Sequence, residues 1–98
     1  MKMYFQSVNF NADQDLVDFA QRKLDKLDHF FDRIVESEVF LRVENTSEKE
    51  NKISEVKINV PGNQLIVKKR CKTFEEGLDQ CSEVLGRQLK KHKEKMKA

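Results

Sequence analysis

Hydrophobic positions recur with two different spacings along the chain, and the changes of spacing divide it into six elements. Alternation of apolar and polar residues predicts a first strand over residues 2–9, a second from Ile34 to Glu44, and two more on either side of Pro61-Gly62. Apolar residues at three- and four-residue steps predict helices over residues 13–28 and 73–97. The predicted order is therefore β-α-β-β-β-α.

This order and the one-sided strands predict an α+β two-layer sandwich. The strand-helix-strand unit should be a right-handed crossover between parallel neighbours, and the remaining strands should form an antiparallel meander. Both helices should cover the one apolar face of a four-stranded mixed sheet. The positions expected to face inward are Leu16, Ala20, Leu24 and Leu27 on the first helix, Val35, Val39, Leu41 and Val43 on the second strand, Ser54, Val56, Ile58 and Val60 on the third, and Leu65, Val67 and Cys71 on the fourth.

The last helix is the most distinctive stretch of the sequence. Thr73 and Glu76 form a capping-box pattern at its start, and about 25 residues at ~1.5 Å each give a length near 35 Å. Its apolar stripe comprises Phe74, Leu78, Cys81, Leu85, Leu89 and Met96. Gly77 and Gly86 interrupt the helical pattern, and each costs about 1 kcal/mol relative to Ala, so we expect both to allow close packing on the sheet.

Length and composition predict one soluble, cytoplasmic domain spanning residues 1–98. The chain is 38% hydrophobic and 37% charged, contains no apolar run near the ~18 residues of a membrane span, and lacks a signal-peptide core. Cys71 and Cys81 fall at inward positions and are expected to be reduced core residues.

No pattern of catalytic or metal-binding residues is found in the sequence. The glycines are isolated, the two cysteines and two histidines have no zinc-site spacing, and His92 lies beside the apolar stripe, as a boundary residue would. We therefore expect no enzyme activity, no cofactor, no metal and no small-molecule substrate.

Charge is distributed unevenly along the chain. Residues 1–67 carry nine Lys and Arg against twelve Asp and Glu, a net charge of −3, whereas residues 68–98 carry ten against five, a net charge of +5. Six cations against one acid in the last twelve residues exceed what the dipole of a helix end favours, since that effect fades within about one turn. A basic face of this kind is typical of proteins that bind a polyanion.

Three basic groups are the candidate RNA-binding residues. The first two comprise Arg22, Lys23 and Lys26 on one flank of the first helix, and Lys68, Arg70 and Lys72 at the end of the fourth strand; the third comprises Arg87, Lys90, Lys91 and Lys93 on the last helix. If both helices lie on one face of the sheet, the first and third groups should meet along the ridge between them. Exposed aromatic residues for base stacking are nearly absent, so the sequence favours folded RNA recognised by shape and backbone. A protein-binding role remains the alternative.

Several of these stretches together resemble the ribosome hibernation-promoting factors, a family also called ribosome-associated inhibitor or sigma-54 modulation protein. They are the element order, the Val60-Pro61-Gly62 turn, the segment Leu24-Asp25-Lys26-Leu27-Asp28-His29-Phe30-Phe31-Asp32 and the segment Arg87-Gln88-Leu89-Lys90-Lys91-His92-Lys93. The resemblance covers essentially the whole chain and implies a domain similar to double-stranded-RNA-binding domains.

Membership would imply binding to the small ribosomal subunit, over the mRNA and tRNA positions, with translation stopped during starvation or stationary phase. The basic positions of both helices match the family's, whereas many relatives are acidic where this chain has Lys68–Lys72. The resemblance is to a short form without a C-terminal dimerisation domain, expected to be a monomer off the ribosome. The alternatives are modulation of a transcription (sigma) factor through the open face of the sheet, and general double-stranded-RNA binding.

Overall fold

The computed structural model describes the backbone of residues 1–97 and the side chains of residues 1–95. The elements are β1 (Met3–Val8), α1 (Gln14–Asp25), a 3-10 turn (Lys26–His29), β2 (Glu36–Val43), β3 (Lys52–Val60), β4 (Asn63–Cys71) and α2 (Phe74–Lys97). The predicted order β-α-β-β-β-α is confirmed. The first helical segment differs only at its end, because the α-helix stops at Asp25 and continues as the 3-10 turn.

The four strands form one mixed sheet in the order β1-β2-β3-β4. β1 and β2 are parallel, with Phe5 opposite Val39, and β2, β3 and β4 form the predicted antiparallel meander. Pro61 and Gly62 connect β3 to β4 directly, since Val60 pairs with Asn63. Gly62 has φ +76°, which is the left-handed conformation that the third residue of a type II turn requires.

Both helices lie on the same face of the sheet, and their apolar stripes meet the inward side chains of the strands. The buried core contains Leu16, Ala20, Leu24, Leu27, Phe31, Val39, Leu41, Val56, Ile58, Val60, Val67, Phe74, Leu78, Cys81, Leu85 and Leu89. Side-chain caps begin both helices: Leu16 N–H donates to Asp13 Oδ1 at 2.8 Å, and Glu76 N–H donates to Thr73 Oγ1 at 3.1 Å. The predicted α2 stripe is therefore confirmed up to Leu89, while Met96 lies outside the described side chains.

The two helix glycines pack closely, as expected, but against different elements. A Cβ on Gly77 would lie 2.5 Å from Ser54 Oγ of β3, so α2 approaches the sheet there at backbone distance. A Cβ on Gly86 would instead lie 3.3 Å from the ring of Phe30, which follows the 3-10 turn. Gly77 thus sets the distance of α2 from the sheet, and Gly86 sets its distance from the end of the first helical segment.

Both cysteines are free and buried, as predicted. Burial raises the pKa of the Cys81 thiol to about 12, and burial also raises the pKa of the Cys71 thiol. Cys81 Sγ lies 3.7 Å from the Ser54 carbonyl oxygen, as a weak donor to the sheet. Such neutral, enclosed thiols act as small core residues, in contrast to activated nucleophiles.

The prediction for Val35 is wrong, because its side chain is 62% exposed. β2 begins at Glu36, so the alternation of the strand does not extend back to Val35. Ile53 is a second departure: it lies on the face of the sheet opposite the helices yet is only 3% exposed. Arg42 and Arg70 are its neighbours on either side in the strand register, and their long side chains account for this burial.

Candidate nucleic-acid interface

A groove separates the first helical segment from α2 on the outer surface of the helical layer. Its cavity volume is about 690 Å³, and we call it the interhelical groove. Its lining residues are Lys26, His29 and Phe30 from the 3-10 turn and the position after it, and Asp79, Ser82, Glu83, Gly86, Arg87 and Lys90 from α2. The structure therefore places cations from two separate elements along one depression.

Two polar contacts hold the helices together at the acidic end of this groove. Lys23 Nζ donates to Asp79 Oδ1 at 2.5 Å, and Ser82 Oγ donates to the Lys23 carbonyl oxygen at 3.3 Å. The ion pair is partly exposed and contributes only about 0.2–1 kcal/mol, and it lies on the flank of α2 that faces α1. Lys23 is thus partly neutralised by Asp79, and its main effect is to position the two helices.

Arg87, Lys90 and Lys93 lie toward the C-terminal end of α2, and Lys26 lies across the groove from α2. Lys26, Arg87, Lys90 and Lys93 are all exposed. Lys90 Nζ lies 4.8 Å above the centre of the Phe30 ring, and Lys93 lines an adjoining depression with His29, Phe30 and Glu94. Because Glu94 is the sole carboxylate lining that depression, this end of the groove presents a cluster of cations able to contact successive phosphates.

Two other predicted residues of the helices occupy different positions. Arg22 is exposed on α1, one turn before Lys26. Lys91 lies on the opposite flank of α2, where it lines a shallow depression with Asn63, Leu65, Gln88, His92 and Lys95. The convergence predicted from the sequence is therefore found for Lys26, Arg87 and Lys90, which line one groove. Lys93 lines the adjoining depression, and Lys91 faces the β3–β4 turn.

The three basic residues at the end of β4 lie away from the groove. Lys68 and Arg70 alternate with the buried Val67 and Cys71, so they point to the open face of the sheet. Arg70 is also engaged there, with its Nη2 2.7 Å from Glu44 Oε2 and its Nη1 3.5 Å from Glu48 Oε2. Lys72 is exposed just after the strand. A ligand seated in the groove alone does not reach this surface.

The open face of the sheet has a balanced pattern of charge. In the strand register, Glu38 lies opposite Lys57 and Glu55 lies opposite Lys68. Glu44 approaches Arg42 at 3.3 Å as well as Arg70, so one carboxylate bridges two strands. This alternation provides less attraction for a polyanion than the groove does, because each cation has an acid beside it.

Sequence reasoning missed the floor of the groove. The half-buried ring of Phe30 packs against the core and also lines the groove beside Gly86. Ser82 and Gly86 are small residues four apart on α2, a spacing that marks one face of a helix and could have indicated a close approach there. His92 is confirmed as a boundary residue, with its ring 5.3 Å from that of Phe31.

Other kinds of site find little support in the structure. Among the residues described, no group of three or more His, Cys, Asp or Glu side chains is arranged to hold a metal ion. Within the same part of the chain, neither helix has the length and apolar character needed to cross a bilayer.

The fold and the groove define a class: a small two-layer α+β domain that gathers cations between its two helices. The family described as sigma 54 modulation protein / S30EA ribosomal protein matches residues 4–97. Since this match covers nearly the whole sequence, the chain belongs to that family, and the resemblance noted from the sequence is confirmed.

Individual relatives agree with this assignment. Over all 98 residues the chain is 28% identical to the ribosome hibernation promoting factor of Pseudomonas putida, covering 92% of that protein. It is 32% identical over 80 residues to the ribosome hibernation promoting factor of Klebsiella oxytoca, covering 82% of this chain and 80% of that protein. A ribosome hibernation promotion factor of Deinococcus radiodurans is 31% identical over 87% of this chain, which spans 45% of that longer protein.

Solved structures show the same fold at lower identity. The N-terminal domain of Protein Y from Thermus thermophilus superimposes with a TM-score of 0.81 at 20% identity, covering 94% of this chain and 99% of that domain. A ribosomal subunit interface protein from Coxiella burnetii superimposes with a TM-score of 0.83 at 18% identity, covering 95% of this chain and 98% of that one. The β-α-β-β-β-α sandwich is therefore shared with both.

Proposed function

We propose that this protein is a cytoplasmic, non-enzymatic ribosome hibernation factor that binds the small ribosomal subunit through the interhelical groove. The observation that carries the proposal is the convergence of Lys26 with Arg87 and Lys90 along one groove. Family membership supports the same partner, because relatives are named for ribosome hibernation.

The groove suits the backbone of folded RNA. Each phosphate neutralised by a Lys or Arg releases condensed counterions, which favours binding without requiring a particular base sequence. The Arg87 guanidinium can donate two hydrogen bonds to phosphate oxygens in a fork geometry, whereas Lys26, Lys90 and Lys93 act as point charges. Because the two-layer core fixes the backbone that carries these cations, only their side chains lose conformational freedom on binding.

The mechanism we propose is occlusion. The domain measures 48 × 24 × 18 Å along its principal axes, and its helices are held against one sheet by a continuous core. A rigid body of this size, anchored by phosphate contacts in the mRNA and tRNA channel, excludes those ligands by volume. No bond is made or broken in this mechanism, and the ribosome is preserved intact during starvation or stationary phase.

The test is co-sedimentation with 30S subunits of a double charge reversal, Lys26→Glu with Arg87→Glu. These residues come from different elements and line the same groove. The matched control is Lys2→Glu with Lys49→Glu, two exposed lysines of the strand and loop regions. Both doubles lower the formal net charge from +2 to −2, so they separate position from overall charge.

The groove double should lose at least tenfold in affinity for the subunit, while the control stays within about threefold of the parent protein. Circular dichroism should be unchanged for both, because all four side chains are at the surface. Equal losses in the two doubles would show that total charge governs binding and would contradict the proposal. An arbitrary RNA duplex added as competitor should displace the protein poorly; efficient displacement would favour general double-stranded-RNA binding.

The basic residues at the end of β4 remain a predicted second contact. A Lys68→Glu and Lys72→Glu double reports on this surface separately, because neither residue lines the groove. A loss comparable to that of the groove double would extend the footprint onto the open face of the sheet. Wild-type affinity would restrict the footprint to the helical layer.

A further inference from the structure

The floor of the interhelical groove is apolar although its rim is cationic. The ring of Phe30 and the backbone of Gly86 form this floor, with Gly86 so close that an added Cβ would lie 3.3 Å from the ring. Contacts to a phosphate backbone alone need cations on a surface and no apolar floor. The arrangement calls for a ligand that has an apolar plane as well as negative charge.

We propose that the interhelical groove accepts a single unstacked nucleotide, with its base against Phe30 and its phosphate on Arg87 and Lys90. This inference rests on the proposed function, since it names the part of an RNA that the groove would take. The groove volume of about 690 Å³ falls in the range of about 300–1,000 Å³ that is typical of pockets for small organic ligands.

Charge complementarity fixes the orientation of the nucleotide. The cations Arg87 and Lys90 stand toward the C-terminal end of α2, whereas Asp79 and Glu83 stand toward its start. A phosphate is therefore attracted to the first end and repelled from the second. The base is left near Ser82 and Glu83, whose side-chain oxygens can accept hydrogen bonds from exocyclic amino groups.

Lys90 occupies the face of Phe30 in the empty groove and would leave it when a base binds. Its ammonium lies 4.8 Å above the Phe30 ring, where it makes a cation–π contact. A base stacked on the ring would take this place, and the flexible lysine would turn to the incoming phosphate. Because base–aromatic stacking is generally stronger than a cation–π contact at an exposed site, the exchange favours the bound nucleotide.

The experiment compares adenosine 5′-monophosphate with ribose 5-phosphate, which carries the same phosphate and no base. Binding is followed by NMR on protein with labelled phenylalanine rings, at matched ionic strength. The nucleotide should shift the Phe30 ring signals and bind at least fivefold more tightly than the sugar phosphate. Phe30→Leu should abolish this difference, whereas Phe30→Tyr, which keeps an aromatic ring, should retain it.

The proposal that the groove binds a nucleotide would be contradicted by equal affinity for the two ligands. It would also be contradicted if the nucleotide shifted NMR signals of other phenylalanine rings but not those of Phe30. Absence of binding by both ligands at millimolar concentration would overturn it as well. Each of these outcomes is compatible with tight 30S co-sedimentation, which depends on backbone contacts. Equal losses of 30S affinity in the groove double and the control double would instead contradict the proposed function, so the two failures are distinguishable.

Discussion

Replacing Gly77 by Ala tests whether α2 approaches the sheet at backbone distance beside Ser54. In an unobstructed helix this change should stabilise the protein by about 0.5–1 kcal/mol, because Gly has the lower helix propensity. Here the new Cβ would lie 2.5 Å from Ser54 Oγ and 3.0 Å from Ser54 Cβ. Overpacking of a core typically costs about 1–3 kcal/mol, and Ser54 is fully buried, so we expect a net loss of about 1–2 kcal/mol.

Replacing Ser54 allows the destabilisation caused by its clash with the new Cβ at position 77 to be measured separately. Its Oγ is buried without a hydrogen-bond partner, so Ser54→Ala removes an unsatisfied polar atom and should leave stability unchanged or raise it by up to about 1 kcal/mol. In the Ser54→Ala background, the Cβ added by Gly77→Ala no longer clashes with a hydroxyl and contacts the Cβ of residue 54 instead. The two substitutions should therefore couple by about 1 kcal/mol in a double-mutant cycle.

The assay is urea unfolding followed by circular dichroism, with all variants compared at constant m-value. A loss of 1 kcal/mol should lower the melting temperature by about 4–8 °C for a domain of this size. Gly86→Ala is the matched control, because its nearest neighbour is an aromatic ring at 3.3 Å that can shift by a few tenths of an ångström. If Gly77→Ala raised stability as much as helix propensity predicts, the close contact between α2 and β3 would be refuted.

Three further predictions concern the turn, the core thiol and the open face of the sheet. Gly62→Ala should cost about 1 kcal/mol, because φ is +76° at this position, and urea unfolding would show it as a lower midpoint. Burial raises the pKa of Cys81 to about 12 from 9.0, so the stability that the neutral thiol contributes is fully present below pH 9 and is lost as pH rises toward 12. Between pH 8 and 10 the free energy of unfolding should therefore fall by about 1 kcal/mol more for the parent protein than for Cys81→Ala. An equal fall in both proteins would contradict the burial of the thiol. Glu44→Gln should weaken the bridge to Arg42 and Arg70 and change stability by less than about 1 kcal/mol, with 30S affinity unaltered; a tenfold change in affinity would place the open face in the interface.

Periodicity was sufficient to predict the layers of the fold. The positions of Leu16, Ala20, Leu24 and Leu27 identify the buried side of the first helical segment, and alternation identifies the inward side of each full strand. Val35 shows the limit of this reasoning. An apolar residue in phase with a strand is buried only if another element covers it. Val35 is exposed although its N–H still donates to the Asn59 carbonyl oxygen at 2.8 Å.

The groove could be predicted only in part, because a hydrophobic stripe shows which side of a helix is buried but not which element lies on each flank. Lys90 and Lys91 are consecutive residues about 100° apart on the helix, and the sequence pattern places both in the same basic group. In the structure the flank of Lys90 faces the first helical segment, together with Asp79, which contacts Lys23, and Gly86, which packs on Phe30. Lys91 consequently faces the β3–β4 turn.

Phe30 follows the helix, where the spacing of apolar residues no longer defines a face, and its ring packs against the core from the side of the groove. The 3-10 turn rotates the positions after Asp25 relative to a continued α-helix, so Phe31 enters the core and Phe30 reaches the groove. By alternation with Ser54, which faces the helices, Ile53 falls on the open side of the sheet, yet it is buried. Its burial depends on two arginines from neighbouring strands, and strand register is a tertiary property.

The most direct test of phosphate binding by converging cations is the salt dependence of the affinity for 30S subunits. Four groove cations, Lys26, Arg87, Lys90 and Lys93, each neutralising one phosphate, predict a slope of about 3 for log Kd against log salt concentration. Lys26→Gln with Arg87→Gln should lower this slope by about 1.5 to 2, and Lys2→Gln with Lys49→Gln should leave it unchanged. An identical slope in both doubles would contradict the convergence of the two helices on the RNA backbone.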